Sequence, residues 1–106
     1  MYLELTHDNL DKVLAQYDKT FVMYGAEWCD ACVDSKPHFK KLSEENKDIA
    51  FIFSNSDKFI QIKEYVNFEF IPTFVAFEKD NVIDWRETSY KEEIELVLEK
   101  ITQLSI

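Results

Sequence analysis

Thr20-Phe21-Val22-Met23-Tyr24-Gly25-Ala26-Glu27-Trp28-Cys29-Asp30-Ala31-Cys32 is the stretch on which the fold is read. From Thr20 to Ala26 it is a nearly continuous apolar run of strand length, as expected for a buried strand. The run ends at Trp28-Cys29-Asp30-Ala31-Cys32, where a helix is expected to begin and continue from about Cys29 to Asn46, with Cys32, Phe39 and Leu42 toward the core. Two intervening residues on a helical turn let the second sulfur reach back to the first, so a disulfide can close and open with little backbone movement. The first cysteine falls at the helix start, where unpaired N–H groups and the helix dipole favour a thiolate. One turn deeper, the second suits a resolving role. The chemistry this spacing implies is attack by Cys29 on a substrate disulfide, formation of a mixed disulfide, and release by Cys32.

Outward from this stretch, strand-like and helix-like segments alternate. Tyr2–Leu5 has the alternation of a short strand, and Asp8 is placed to cap a helix carrying Leu10, Val13, Leu14 and Tyr17 at helical spacing. Ile49–Phe53 is a third apolar strand, and Asp57 is placed to cap a shorter helix that buries Phe59, Ile62 and Val66. Thr73–Phe77 and Val82–Arg86 read as a hairpin turning through Glu78–Asn81. Ser89 and Glu92 have the spacing of a capping box before a last helix lined by Ile94, Val97, Leu98 and Ile101. The order βαβαβα followed by ββα predicts parallel early strands and an antiparallel closing pair. The expected fold is therefore α/β: one domain over residues 1–106, with a mixed sheet of about five strands flanked by about four helices. The single glycine, Gly25, and the two prolines, Pro37 and Pro72, each mark a constrained position.

Composition narrows the function. Of 106 residues, 46% are hydrophobic and 15% aromatic, enough for a core without disulfide staples. A net charge of −9 opposes nucleic acid and anionic membranes and favours basic-rimmed partners. The basic cluster Lys36, Lys40 and Lys41 lacks interleaved aromatics and reads as the wet face of a helix. No positively charged leader and no apolar run of membrane length is apparent, so a cytoplasmic location is expected. In a reducing compartment a cysteine pair is seldom a structural staple. A zinc site would need His7 and His38 besides the cysteines, at spacings that match no common pattern, so no metal is expected. Two inert buried thiols would leave their placement at a helix start unexplained.

With Ala26-Glu27-Trp28-Cys29 at its centre, the stretch from Phe21 to Cys32 resembles the active-site strand and turn of thioredoxins. Pro37 falls where that family kinks its active-site helix, and Ile71-Pro72-Thr73 is similar to the family's cis-proline loop. Element by element, the resemblance covers essentially the whole chain. It implies a thioredoxin fold, Cys29 as nucleophile and Cys32 as resolving thiol, Trp28 as an aromatic lid, and Pro72 facing the disulfide. Ile71 would offer its backbone to an extended substrate. It also implies disulfide-containing protein substrates, a thioredoxin reductase as partner, a monomer, and no cofactor beyond the dithiol.

The departures from the family bear on tuning. Asp30-Ala31 stands where thioredoxins usually carry Gly-Pro, which frees the backbone and sets a carboxylate against a Cys29 thiolate. Met23 corresponds to the family's buried aspartate, Phe53 to a lysine often paired with it, and Thr88 to a glycine of the substrate loop. Met23 removes the usual proton acceptor for Cys32. Glu27 is an alternative relay, although an exposed surface carboxylate is the simpler reading. Thr88 would narrow or reshape the groove. Two other classes stay open: a glutathione-linked, glutaredoxin-like reductase, and a non-enzymatic adaptor or subunit of a larger enzyme. Glutaredoxins lack the Trp-Cys context, and retention of both cysteines argues against an adaptor.

Overall fold

A computed structural model describes residues 1–102. Strands β1 (Tyr2–Glu4), β2 (Lys19–Gly25), β3 (Ala50–Asn55), β4 (Thr73–Glu78) and β5 (Asn81–Glu87) form one five-stranded sheet in the order β1-β3-β2-β4-β5. β3 runs parallel to both β1 and β2, whereas β4 is antiparallel to β2 and to β5. The helices are α1 (Leu10–Gln16), α2 (Asp30–Glu45) and α3 (Lys91–Thr102).

Strand alternation divides the core between the two faces of the sheet. Phe21 and Met23 of β2 pack with Phe51, Phe53 and Phe74 against Cys32, Phe39 and Leu42 of α2 and the inner stripe of α3. Val22 and Tyr24 face the other way, onto Leu10 and Leu14 of α1 and onto Ile62, Val66 and Phe68. Phe21, Phe39, Phe51 and Phe74 are fully buried and form a ring cluster with centroids 5.2 to 5.9 Å apart. Each such ring contributes roughly 1.5–3 kcal/mol by leaving water. Phe39 thereby pins the middle of α2 to the sheet and fixes the helix whose first turn carries the cysteines.

The expected fourth helix reduces to a single 3-10 turn, Gln61–Glu64. Phe59, Ile62 and Val66 are buried as anticipated, but the backbone around them is committed elsewhere. The Tyr24 hydroxyl donates to the Phe59 carbonyl, and Asp8 Oδ1 accepts from the Ile60 and Gln61 N–H groups at 3.2 and 2.9 Å. Asp8 therefore holds this connector and does not cap α1, whose N-cap is Asn9. Asp57 likewise turns its carboxylate to Trp28. Entry into α3 is held by Thr88 Oγ1, which accepts from the Tyr90 N–H at 3.1 Å, in place of the Ser89–Glu92 box.

Candidate active site

Antiparallel pairing sets Tyr24 opposite Thr73, so the end of β2 and the start of β4 lie at the same edge of the sheet. This register brings Cys29 and Ile71-Pro72 together across 42 residues of chain. The Ile71–Pro72 peptide is cis, and the Ile71 carbonyl stands 4.0 Å from Cys29 Sγ. Cys29 is the N-cap of α2, and its sulfur accepts the Cys32 N–H at 3.2 Å. A backbone donor at the helix start thus points at the sulfur expected to attack.

Both cysteines are free thiols. Cys29 retains 9% exposure, whereas Cys32 retains 2%. Burial, and secondarily a hydrogen bond with Cys29, pushes the Cys32 thiol up to about 12. Its sulfur lies directly on the backbone of β2, since a Cβ built at Gly25 would stand 2.9 Å from Cys32 Sγ. Gly25 is required for that close approach. Pro37 sits inside α2, where it removes an N–H from the helical ladder.

The remaining expected residues divide around this pair. Trp28 is 68% exposed, and its indole N–H is held between the two oxygens of Asp57, each at 3.0 Å. Met23 is fully buried and lies in register with Phe53, so two apolar side chains adjoin there on neighbouring strands. A cation nevertheless reaches Phe53 from another element. Lys36 Nζ lies 3.9 Å from the centre of that ring and 3.1 Å from Glu4 Oε2 of β1. A cavity of about 450 Å³ is lined by Cys32, Glu27, Lys36 and Phe53, which brings the exposed Glu27 to the buried thiol's side of the site. Asp30 is exposed on the first turn of α2. His38, the zinc alternative, places Nε2 3.0 Å from Glu95 Oε2 of α3.

A second cavity, of about 400 Å³, lies along the cis turn and is lined by Ala31, Ile71, Pro72, Thr88, Phe70 and Tyr90. Thr88 is buried, lines this groove, and donates its backbone N–H to the Pro72 carbonyl at 3.1 Å. Phe70 and Tyr90 were not apparent as site residues, although both are apolar and neither belongs to a periodic stripe. They are 68% and 69% exposed. Glu87 was also missed. Its Oε2 accepts the Glu69 and Phe70 N–H groups at 2.7 and 2.6 Å and thereby fixes the loop before the proline.

The family model for thioredoxin matches residues 1–100. The chain belongs to the thioredoxin family. It is 40% identical over 65 residues to the mitochondrial thioredoxin-2 of Schizosaccharomyces pombe, a match covering 61% of this chain and 49% of that protein. With the thioredoxin of Mycoplasma pneumoniae it shares 33% identity over 70 residues, covering 66% and 69% of the two chains. The chain thus spans half or less of the fission-yeast protein it matches, and somewhat over two thirds of the mycoplasma one. Among solved structures, reduced Schistosoma mansoni thioredoxin pre-protein superposes with a TM-score of 0.84 at 27% identity, over 93% of this chain and 96% of that one. Plasmodium falciparum thioredoxin does so with a TM-score of 0.83 at 22% identity, over 92% and 96%. Thiol–disulfide oxidoreductases are characteristic of the family. No helix among the described residues is long and apolar enough to cross a membrane.

Proposed function

We propose that this chain reduces protein disulfides through a Cys29–Cys32 dithiol. The observation that carries the reading is the asymmetry of the two sulfurs: Cys29 at the helix N-cap against the Ile71 carbonyl of the cis turn, Cys32 more deeply buried one turn behind it. Cys29, as thiolate, attacks one sulfur of a substrate disulfide. A Cys29–substrate disulfide forms, and the other substrate sulfur leaves as a thiolate that takes up a proton. Cys32 then gives up its proton and attacks Cys29 Sγ. The Cys29–Cys32 disulfide forms and the second substrate thiolate departs, so two electrons have passed to the substrate.

The second step carries a protonation cost, because burial pushes the Cys32 thiol up to about 12. Met23 offers no acceptor. Glu27, in the cavity that reaches Cys32, is the carboxylate assigned to receive the proton, directly or through water. The dithiol is itself the electron carrier and needs no cofactor. It must be reduced again after each turnover, which calls for a reductase of the thioredoxin-reductase type. We assign the protein to the cytoplasm as a monomer.

Exposing Cys32→Ser to an oxidised peptide should trap a mixed disulfide on Cys29, whereas Cys29→Ser should neither form an adduct nor reduce the peptide. Mass spectrometry of the intact variants decides. An adduct on Cys32 in the Cys29→Ser protein would overturn the assignment of roles. Turnover with a thioredoxin reductase, compared with glutathione, separates this reading from a glutathione-linked one.

A further inference from the structure

The groove along the cis turn has a chemistry of its own. Phe70 and Tyr90 leave ring faces uncovered at its mouth, and the ionisable residues on its walls besides Tyr90 are Glu87 and Glu93, with no lysine or arginine among them. Glu87 is committed through Oε2 to the N–H groups of residues 69 and 70. Glu93, one turn into the α3 region from Tyr90, is half-buried, and its carboxylate has no partner among the described residues. Lys36 and Lys40 of α2 line the separate cavity beside Cys32 and not this groove. Aromatic faces beside an unpaired, partly desolvated carboxylate form a receptor for a cationic side chain. Guanidinium suits it better than ammonium, because its plane stacks on a ring while its N–H fork reaches an acid.

We propose that the groove selects disulfide segments carrying an arginine close to the half-cystine that Cys29 attacks, with the guanidinium between Phe70 and Tyr90 and paired to Glu93. This inference rests on the oxidoreductase reading and names its substrate class. In a segment extended along Ile71, side chains alternate in direction, so a neighbour of the half-cystine can turn into the groove while the sulfur faces Cys29.

The test uses three oxidised peptides that differ in one residue beside the cysteine: arginine, glutamine or glutamate. Reduction by the pre-reduced protein is followed by stopped flow. Each rate is divided by that of dithiothreitol alone, to remove the intrinsic reactivity of the peptide disulfide. The arginine peptide should react about tenfold faster than the glutamine peptide, equivalent to about 1.4 kcal/mol, and the glutamate peptide should be slowest. Salt should narrow the gap. Glu93→Gln and Tyr90→Ala should each cut the arginine preference to about threefold or less. Glu44→Gln, the same charge change on the exposed surface of α2, should leave it intact. Equal normalised rates for the three peptides would overturn the inference while leaving the oxidoreductase reading standing. So would equal losses of preference in Glu93→Gln and Glu44→Gln, since net charge alone would then account for it. Failure to reduce any peptide would overturn both.

Discussion

Gly25→Ala tests how the resolving thiol is held. The added Cβ would stand 2.9 Å from Cys32 Sγ, 3.2 Å from Cys32 Cβ and 3.6 Å from Met23 Cε. The first distance is shorter than packed side chains tolerate, so the sulfur must shift, and α2 is held in place by Phe39 behind it. Overpacking of this kind costs about 1–3 kcal/mol. Alanine also restricts the unfolded chain, which offsets about 0.4–1 kcal/mol, since Gly25 is not in a left-handed conformation. The expected net effect runs from about zero to a loss of about 2.6 kcal/mol. In a Cys32→Ala background the sulfur is absent and only the 3.2 Å Cβ and 3.6 Å Met23 contacts remain, so the same substitution should cost clearly less. Urea unfolding of the four proteins under reducing conditions gives the coupling energy between the two sites. Stopped-flow kinetics should show release from the mixed disulfide slowed in Gly25→Ala, because the attacking sulfur is displaced. An equal cost in both backgrounds would show that the clash does not involve Cys32 Sγ, and the packing argument would fail.

Stability at alkaline pH should depend on Cys32. Burial holds its proton to about 12, whereas an unfolded thiol loses it near 8.5, so the contribution is complete below the lower value and is lost as pH climbs toward the higher. Urea midpoints measured upward from about pH 8 should fall less steeply in Cys32→Ala, the difference being at most about 1.4 kcal/mol per pH unit; parallel profiles would refute it. The hydroxyls of Tyr24 and Tyr65, also raised by burial, add a fall of the same sign to both proteins. Met23→Asp should speed the release step, most clearly below about pH 8.5, by placing a proton acceptor beneath Cys32. It should lower stability by about 3 kcal/mol or more through lost packing and a desolvated carboxylate, and an unchanged rate across pH would make Met23 an ordinary core residue.

Much of the architecture was legible because each strand of the central trio is an apolar run that ends at polar or helix-starting residues. The cysteine spacing and Ile71-Pro72 were legible for a different reason: both are local signals whose meaning does not depend on distant packing. The connector from Asn55 to Phe68 was misjudged because its helical spacing of Phe59, Ile62 and Val66 is real. What overrides it is Tyr24 and Asp8, donors and acceptors far away in sequence. Asp8 and Asp57 both look like helix caps locally, yet each spends its carboxylate on a long-range partner. Lys36 over Phe53 was hidden in the same way, since that cation comes from α2 rather than from the strand. Phe70 and Tyr90 escaped notice because exposure of an aromatic ring is a property of the folded surface and leaves no periodic trace.

The antiparallel return of β4 also decides where the molecule can be handled. Its first residue, Thr73, adjoins the cis turn, and its last, Glu78, leads into Lys79 and Asp80 at the opposite end of the sheet. The six-residue strand sets the two ends about 17 Å apart at the usual rise. Lys79 adopts φ 54 and pairs with Asp18 at 2.8 Å, so this tip is anchored to the start of β2. A tether, dye or fused chain attached at Asp80 would therefore stand clear of both sulfurs and of any disulfide docked beside them. The protein could be immobilised or carried by another molecule through that end with its reactive edge facing outward.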